Sequence, residues 1–342
     1  MIKVNKGLKE YLRLGRIFNA EIIALILVLS YLLSARLYDI QTDYRIIILL
    51  FIGGVFAHIG GAYNNDRLDL IIDKKARYTT HKPLVSGSIS LKISKKIEFV
   101  SVSIFIISIL IASYISESTQ SKFFSQRILV TIIYICCAFV LAYIYNRYNK
   151  SNMLINVVGQ LYASFIVLIG MSIIIDFDFI LFLSAIVIGI NGVYLNIIEA
   201  DFKDFEGDIV NVPKSLGVRF KGEKAVNISK FYVLNDVLKI FMFVLILYIL
   251  VLEEVSIFFI SVAFGLFIIN YLVRITMFKN LSSNREKMKR FIAAQELTSI
   301  FLISTIFMII NPFLPILVFL FVTIWLSMWN KALWGTYFRP QV

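Results

Sequence analysis

Long apolar runs separated by shorter polar stretches recur from residue 17 to residue 330, and most are close to 20 residues long. About 20 residues in helical form cross a hydrocarbon core of roughly 30 Å. The runs predict spans near 17–35, 46–64, 98–115, 128–146, 153–175, 178–199, 231–252 and 255–273. The last stretch, 297–330, is too long for one ordinary span, and Pro312 and Pro315 interrupt it. It reads either as one span followed by an interfacial helix or as a tight pair of spans. No low-complexity linker divides the chain, so residues 1–342 are expected to form a single all-α membrane domain of about nine transmembrane helices.

Composition agrees with this pattern. Apolar residues make up 59% of the chain, above the roughly 45–50% of ordinary soluble domains. A net charge of +12 would suggest nucleic acid as the partner of a soluble protein, but here the distribution of the charge decides. With the N-terminus in the cytoplasm, the segments 1–16, 65–97, 147–152, 200–230 and 274–292 carry 27 of the 34 Lys and Arg residues. The opposite loops carry only Arg36, Arg45, Lys122 and Arg127. That asymmetry follows the positive-inside rule, so the expected partners are membrane lipids and not nucleic acid. The first apolar run is expected to be retained as a helix. Cys136 and Cys137, adjacent within a span, read as packing residues. Lys239, early in a span, is expected to snorkel to the inner interface, and the basic segment 279–292 to be a loop against anionic headgroups.

Two long inner segments, 64–97 and 199–230, carry the chemistry. Asp66, Asp69 and Asp73 follow the second span; Asp201, Asp204 and Asp208 follow the sixth with the same spacing. Residues three and seven apart share one helix face, so each set would project its oxygens into a common space. Crowded carboxylates repel one another and call for cations. Mg2+ takes oxygen ligands and bridges substrate phosphates, and Asn65 adds another oxygen beside the first set. Two such sets on one membrane face would hold Mg2+ against a diphosphate leaving group.

The first segment, Asn65-Asp66-x-x-Asp69-x-x-x-Asp73, resembles the NDxxDxxxD signature of the UbiA superfamily of intramembrane prenyltransferases. Thr79 and Lys82-Pro83-Leu84-Val85-Ser86-Gly87 resemble that family's T…RPL..G continuation, with Lys82 in place of arginine. Asp201-Phe202-Lys203-Asp204-Phe205-Glu206-Gly207-Asp208 is similar to its DxxDxEGD motif. Ser215-Leu216-Gly217 falls where the family has Thr/Ser-Leu-Pro. Arg16 and Asn19 resemble Arg-Pro-x-Asn with Ile17 replacing proline, and Tyr145 to Lys150 with Asn156 resemble a Tyr…Lys-Arg segment and its following Asn.

The resemblance implies a bundle around a central cavity and a prenyltransferase that uses Mg2+. Its donor would be an isoprenyl diphosphate, its acceptor an aromatic or lipid molecule, and its active site would face the cytoplasm. Asn65, Asp66, Asp69, Asp201 and Asp204 are the expected metal–diphosphate residues. Asp73 and Asp208 are expected to orient a basic partner or assist proton loss. Lys82, Arg147, Lys150, Lys203 and Lys214 would neutralise the leaving diphosphate, and Arg16, Asn19 and Tyr145 complete the substrate-binding set. His58 reads as an acceptor contact or a structural histidine, and His81 as solvated. Phosphoribosyl transfer to a polyprenyl phosphate and terpene cyclisation are alternatives within the fold. A transporter or lipid-binding protein with a structural cation site is the alternative of another class.

Overall fold

The computed structural model describes residues 5–75, 80–119, 126–148, 153–195, 202, 205 and 212–337. In chain order the helices are α1 Lys6–Leu14, α2 Ala20–Leu37, α3 Tyr44–Leu68, α4 Leu70–Lys75, α5 Leu91–Thr119, α6 Gln126–Tyr148, α7 Met153–Gly159, α8 Tyr162–Ser172, α9 Phe179–Val193, α10 Val212–Ser215, α11 Ser229–Leu252, α12 Ile257–Lys279, α13 Arg285–Ser304 and α14 Leu314–Trp334. Between α10 and α11 lies a small antiparallel hairpin, β1 Arg219–Lys221 with β2 Lys224–Val226. Among the described residues eight helices are long and apolar enough to cross a membrane, and two shorter apolar helices lie at Val157–Ser172 and Phe179–Val193. The protein is an all-α, multi-pass integral membrane protein.

One of the two readings of the C-terminal stretch holds here, and one expectation changes. The long C-terminal stretch forms two helices. A 3-10 turn, Thr305–Ile309, ends the first, and Asn311 accepts from the backbone N–H groups of Phe313 and Leu314 to start the second. Pro312 lies in the connection and Pro315 in the first turn of α14, where a missing N–H costs no helical bond. Residues 285–292, expected as loop, are the opening turns of α13.

The chain divides into two compact units. The first comprises Met1–Arg147, Phe165–Leu181 and Phe321–Arg339. In it α2 is approached closely by two glycines. A Cβ on Gly54 of α3 would collide with the Ala24 backbone, and one on Gly170 of α8 would meet the Leu27 carbonyl. The N-terminal segment is tied to α3 and α14: the Tyr63 hydroxyl donates to the Tyr11 carbonyl at 3.0 Å, Arg13 donates to the Leu333 carbonyl at 2.7 Å, and the Trp325 indole donates to the Ile17 carbonyl at 2.9 Å.

The second unit comprises Tyr148–Ser164, Phe182–Leu320 and Pro340–Val342. Its buried charges face inward. Arg274, fully buried on α12, pairs with Asp236, donates to Asn235 at 3.0 Å and stacks on Tyr271 and Tyr232. Lys239 does not snorkel. It is 0% exposed, with its ammonium 4.2 Å from the centre of the Tyr194 ring. A desolvated cation gains most from an aromatic face, which explains why the interior holds it. The Tyr194 hydroxyl in turn accepts from Gln295 at 2.8 Å.

The Gly54 crossing leads to a stability prediction. Gly54→Leu forces α2 and α3 apart, and overpacking of this kind costs about 1–3 kcal/mol. Its thermal unfolding temperature in detergent falls well below wild type. Gly61→Ala, whose Cβ meets nothing within 4 Å, leaves that temperature unchanged or slightly raised.

Candidate active site

The first aspartate set sits where α3 passes into α4. Asp66 is on the last turn of α3, Asp69 caps it, and Asp73 lies on α4. The break is slight: the Asp69 N–H donates to the Asn65 carbonyl at 2.9 Å and the Asp73 N–H to the Asp69 carbonyl at 2.8 Å. The helical repeat therefore runs through it, and the three carboxylates share one face. They are 5%, 6% and 4% exposed, whereas Ile71 and Ile72 on the opposite side are exposed.

Two cations of the same unit meet this face. The Lys82 ammonium lies 2.7 Å from Asp73 Oδ2 and 3.5 Å from Asp66 Oδ1. Its position follows from a folded turn: Ser86 N–H donates to the Lys82 carbonyl at 2.9 Å, Ile89 N–H to the Pro83 carbonyl at 3.2 Å, and Gly87 takes a positive φ of 77°. Leu84 and Ile89 anchor that turn in an apolar cluster with Leu14, Tyr63 and Leu70. The sequence that supplies the lysine thus also supplies the apolar residues that fix it.

Arg16 comes from the other direction. Its backbone is left-handed, φ 46° and ψ 43°, an uncommon state for a side-chain-bearing residue. The chain there leaves α1, makes the 3-10 turn Ile17–Asn19 and enters α2. Asn19 closes the turn by donating its N–H to the Arg16 carbonyl at 2.9 Å. The Arg16 guanidinium donates to Asp66 Oδ1 at 2.9 Å. The Asp66 charge raises the Arg16 pKa above its already high value, with smaller contributions from Asp69 and Tyr145, so the guanidinium stays charged at any pH at which the protein folds. His58, on α3, lies against the Arg16 backbone. Its Nε2 is buried without a hydrogen-bond partner.

The structure therefore brings Arg16, Asp66, Asp69, Asp73 and Lys82 together, with Tyr145 within electrostatic range of Arg16. Asn65 is half-buried beside them, and Arg147 is exposed at the end of α6. In the second unit, Lys214 holds its ammonium 5.0 Å from the centre of the Phe205 ring. Phe202 and Phe205 pack against Phe231 and Phe220. Asp201, Lys203, Asp204, Asp208, Lys150 and Thr79 lie outside the described residues. Among the described residues no three His, Cys, Asp or Glu side chains are arranged to hold a metal. Sequence reasoning does not single out Asn64 or Glu98, which bond to each other at the edge of this site. The only signal was a lone acid among the lysines that open α5.

The UbiA prenyltransferase family model matches residues 23–295. The chain belongs to the UbiA prenyltransferase family. No curated protein matches it. Among solved structures, the UbiA fold is shared with one described as digeranylgeranylglyceryl phosphate synthase in membranes, at 18% identity and TM-score 0.59, covering 89% of this chain and 98% of that one. It is shared with an apo UbiA homolog from Aeropyrum pernix K1, at 13% identity and TM-score 0.58, covering 82% and 95%. A UbiA homolog from Archaeoglobus fulgidus bound to Cd2+ is 16% identical with TM-score 0.56, covering 88% and 99%.

The Arg16–Asp66 pair is testable by stability. With 41% of the Arg16 side chain exposed and Asp66 buried, removing the cation costs less than breaking a fully buried pair and more than a surface one. Arg16→Met lowers stability by about 1–2 kcal/mol. Adding Asp66→Asn to that variant recovers part of the loss, a non-additivity that thermal unfolding of the four proteins measures.

Proposed function

We propose that this UbiA-family protein transfers a polyprenyl group from an isoprenyl diphosphate to an aromatic or lipid acceptor, with Mg2+, at the cytoplasmic face of the membrane. The observation that carries the reading is the buried set Asp66, Asp69 and Asp73 beside Arg16 and Lys82. Hard carboxylate oxygens suit Mg2+, and Asn65, Asp66, Asp69, Asp201 and Asp204 are the residues that would hold it. When bound, Mg2+ supplies positive charge to the diphosphate oxygens.

The bond that breaks joins the allylic carbon to a diphosphate oxygen, and its electron pair leaves with the diphosphate. Arg16 and Lys82 stabilise that departing charge, aided by Lys214, Lys203, Arg147 and Lys150. The acceptor nucleophile then bonds to the allylic carbon and loses a proton to a carboxylate, for which Asp208 is the candidate. Asp73 orients Lys82, and Asn19 and Tyr145 complete the donor site. The Lys and Arg asymmetry supports the cytoplasmic orientation. The acceptor panel includes geranylgeranylglyceryl phosphate because of the digeranylgeranylglyceryl phosphate synthase among the structural neighbours.

The test is diphosphate release by purified protein in detergent with geranylgeranyl diphosphate and Mg2+, with and without acceptors. Release that needs Mg2+ and one acceptor is expected, and it falls at least about 100-fold in Asp66→Ala, as for loss of a group acting on the leaving charge. Acceptor-independent release would replace the reading with cyclisation. Release only from phosphoribosyl diphosphate would replace it with phosphoribosyl transfer. No release with any donor would point to a structural cation site.

A further inference from the structure

A chain of hydrogen bonds in the first unit runs from α5 through α3 to the end of α6. The Glu98 carboxylate on α5 accepts from Arg67 Nε at 2.9 Å, from Arg67 Nη2 at 3.1 Å and from Asn64 Nδ2 at 2.7 Å. Asn64 and Arg67 flank Asn65 and Asp66 on the last turns of α3. Asn64 Oδ1 then accepts from Asn146 Nδ2 at 3.0 Å. Asn146 stands between Tyr145 and Arg147 on the last turn of α6.

The direction of this relay follows from charge. An ionised carboxylate only accepts, so Glu98 fixes the Asn64 amide with its nitrogen toward itself. The Asn64 oxygen is then presented to α6, where it selects a donor. A flipped Asn64 would set its oxygen against the carboxylate and lose that bond. One ionised group on α5 therefore sets the side-chain orientation at the end of α6. Tyr145, next in sequence, reaches the field of Arg16.

We propose that Glu98, acting through Asn64 and Asn146, is a positioning residue for donor binding: it holds Tyr145 and Arg147 in register with the Asp66 turn. The inference rests on the diphosphate-donor reading of the site. Its role is distinct from that of the Arg16–Asp66 pair because Glu98 acts through its hydrogen bonds to Asn64 and Arg67. Arg67 shares the carboxylate but is not a link in the hydrogen-bonded path from Glu98 through Asn64 to Asn146, so it contributes chiefly to the hold on Glu98.

The experiment measures the affinity of purified full-length protein for geranylgeranyl thiolodiphosphate, an analogue that resists cleavage, in the presence of Mg2+. Thermal unfolding is followed alongside. Glu98→Ala and Asn146→Ala each raise the dissociation constant about tenfold, in the range seen when outer-sphere partners are removed. The double variant is no weaker than either single one, because both interrupt one relay. Glu98→Gln, which keeps an acceptor oxygen but loses the charge that fixes the Asn64 orientation, recovers only part of the affinity, and Arg67→Met changes it less than threefold. A purely structural Glu98 would lower the unfolding temperature while leaving the dissociation constant within twofold of wild type, and that overturns the proposal. So do losses that multiply in the double variant. Wild-type binding insensitive to Asp66→Ala would instead overturn the donor reading of the site, an outcome distinct from unchanged binding in the Glu98 variants alone.

Discussion

Three carboxylates on successive turns at a membrane edge repel one another, and burying them among protein atoms makes that repulsion stronger. The first unit answers with Arg16 on Asp66 and Lys82 bridging Asp66 and Asp73. Each cation needs a backbone feature to arrive. Arg16 turns through a left-handed residue between two helices, and Lys82 starts a turn that passes through Gly87 at positive φ. The apolar cluster of Leu14, Tyr63, Leu70, Leu84 and Ile89 holds both approaches against α3. Core packing and site electrostatics are one arrangement here. The residue before Arg16 in that segment, Gly15, abuts Ile59 and Tyr63, so the turn toward Asp66 also runs close to the helix that carries it.

The second unit handles charge differently. Instead of meeting carboxylates at an edge, two of its cations are carried within spans and laid on aromatic faces, Lys239 on Tyr194 and Arg274 on Tyr232 and Tyr271. An ionisable group inside a membrane span is costly unless it faces protein and finds partners. Asp236 and Asn235 complete the partners of Arg274, and Gln295 fixes the ring under Lys239. Tyr194, the residue after α9, is thus held by Lys239 and Gln295 shortly before the second aspartate motif in the sequence. Phe202 and Phe205, interleaved with those aspartates in sequence, pack on Phe231 and Phe220.

Much of the fold was legible because run length alone separates a membrane span from a soluble helix. The motif face was legible too, since the spacing of Asp66, Asp69 and Asp73 needs only the helical repeat. Less legible were features that depend on a partner distant in sequence. Nothing local to Lys239 says that Tyr194 will lie beneath it, so a lysine near a span end reads as snorkelling. Nothing local to Arg16 announces a left-handed backbone. Residues 285–292 read as loop because their charges mask the helix that Met288 and Ile292 bury on one side. The hairpin at Arg219–Val226 turns on Gly222 at positive φ, a signal present in the sequence but overshadowed by the helical pattern around it. The relay through Asn64 and Glu98 was invisible because residues 31 to 34 positions apart carry no mutual signature.

Lys82 occupies a position where the family resemblance expects arginine, and the geometry gives this a physical reason. One ammonium here serves two carboxylates a full two turns apart, Asp73 at 2.7 Å and Asp66 at 3.5 Å. A guanidinium presents its donors in one plane and suits a single carboxylate or phosphate taken bidentately, whereas an ammonium is a compact charge whose three donors diverge. The planar cation of the site is Arg16, which donates to Asp66 at 2.9 Å. Fork and point charge are thus divided between two chain segments, with Asp66 receiving both.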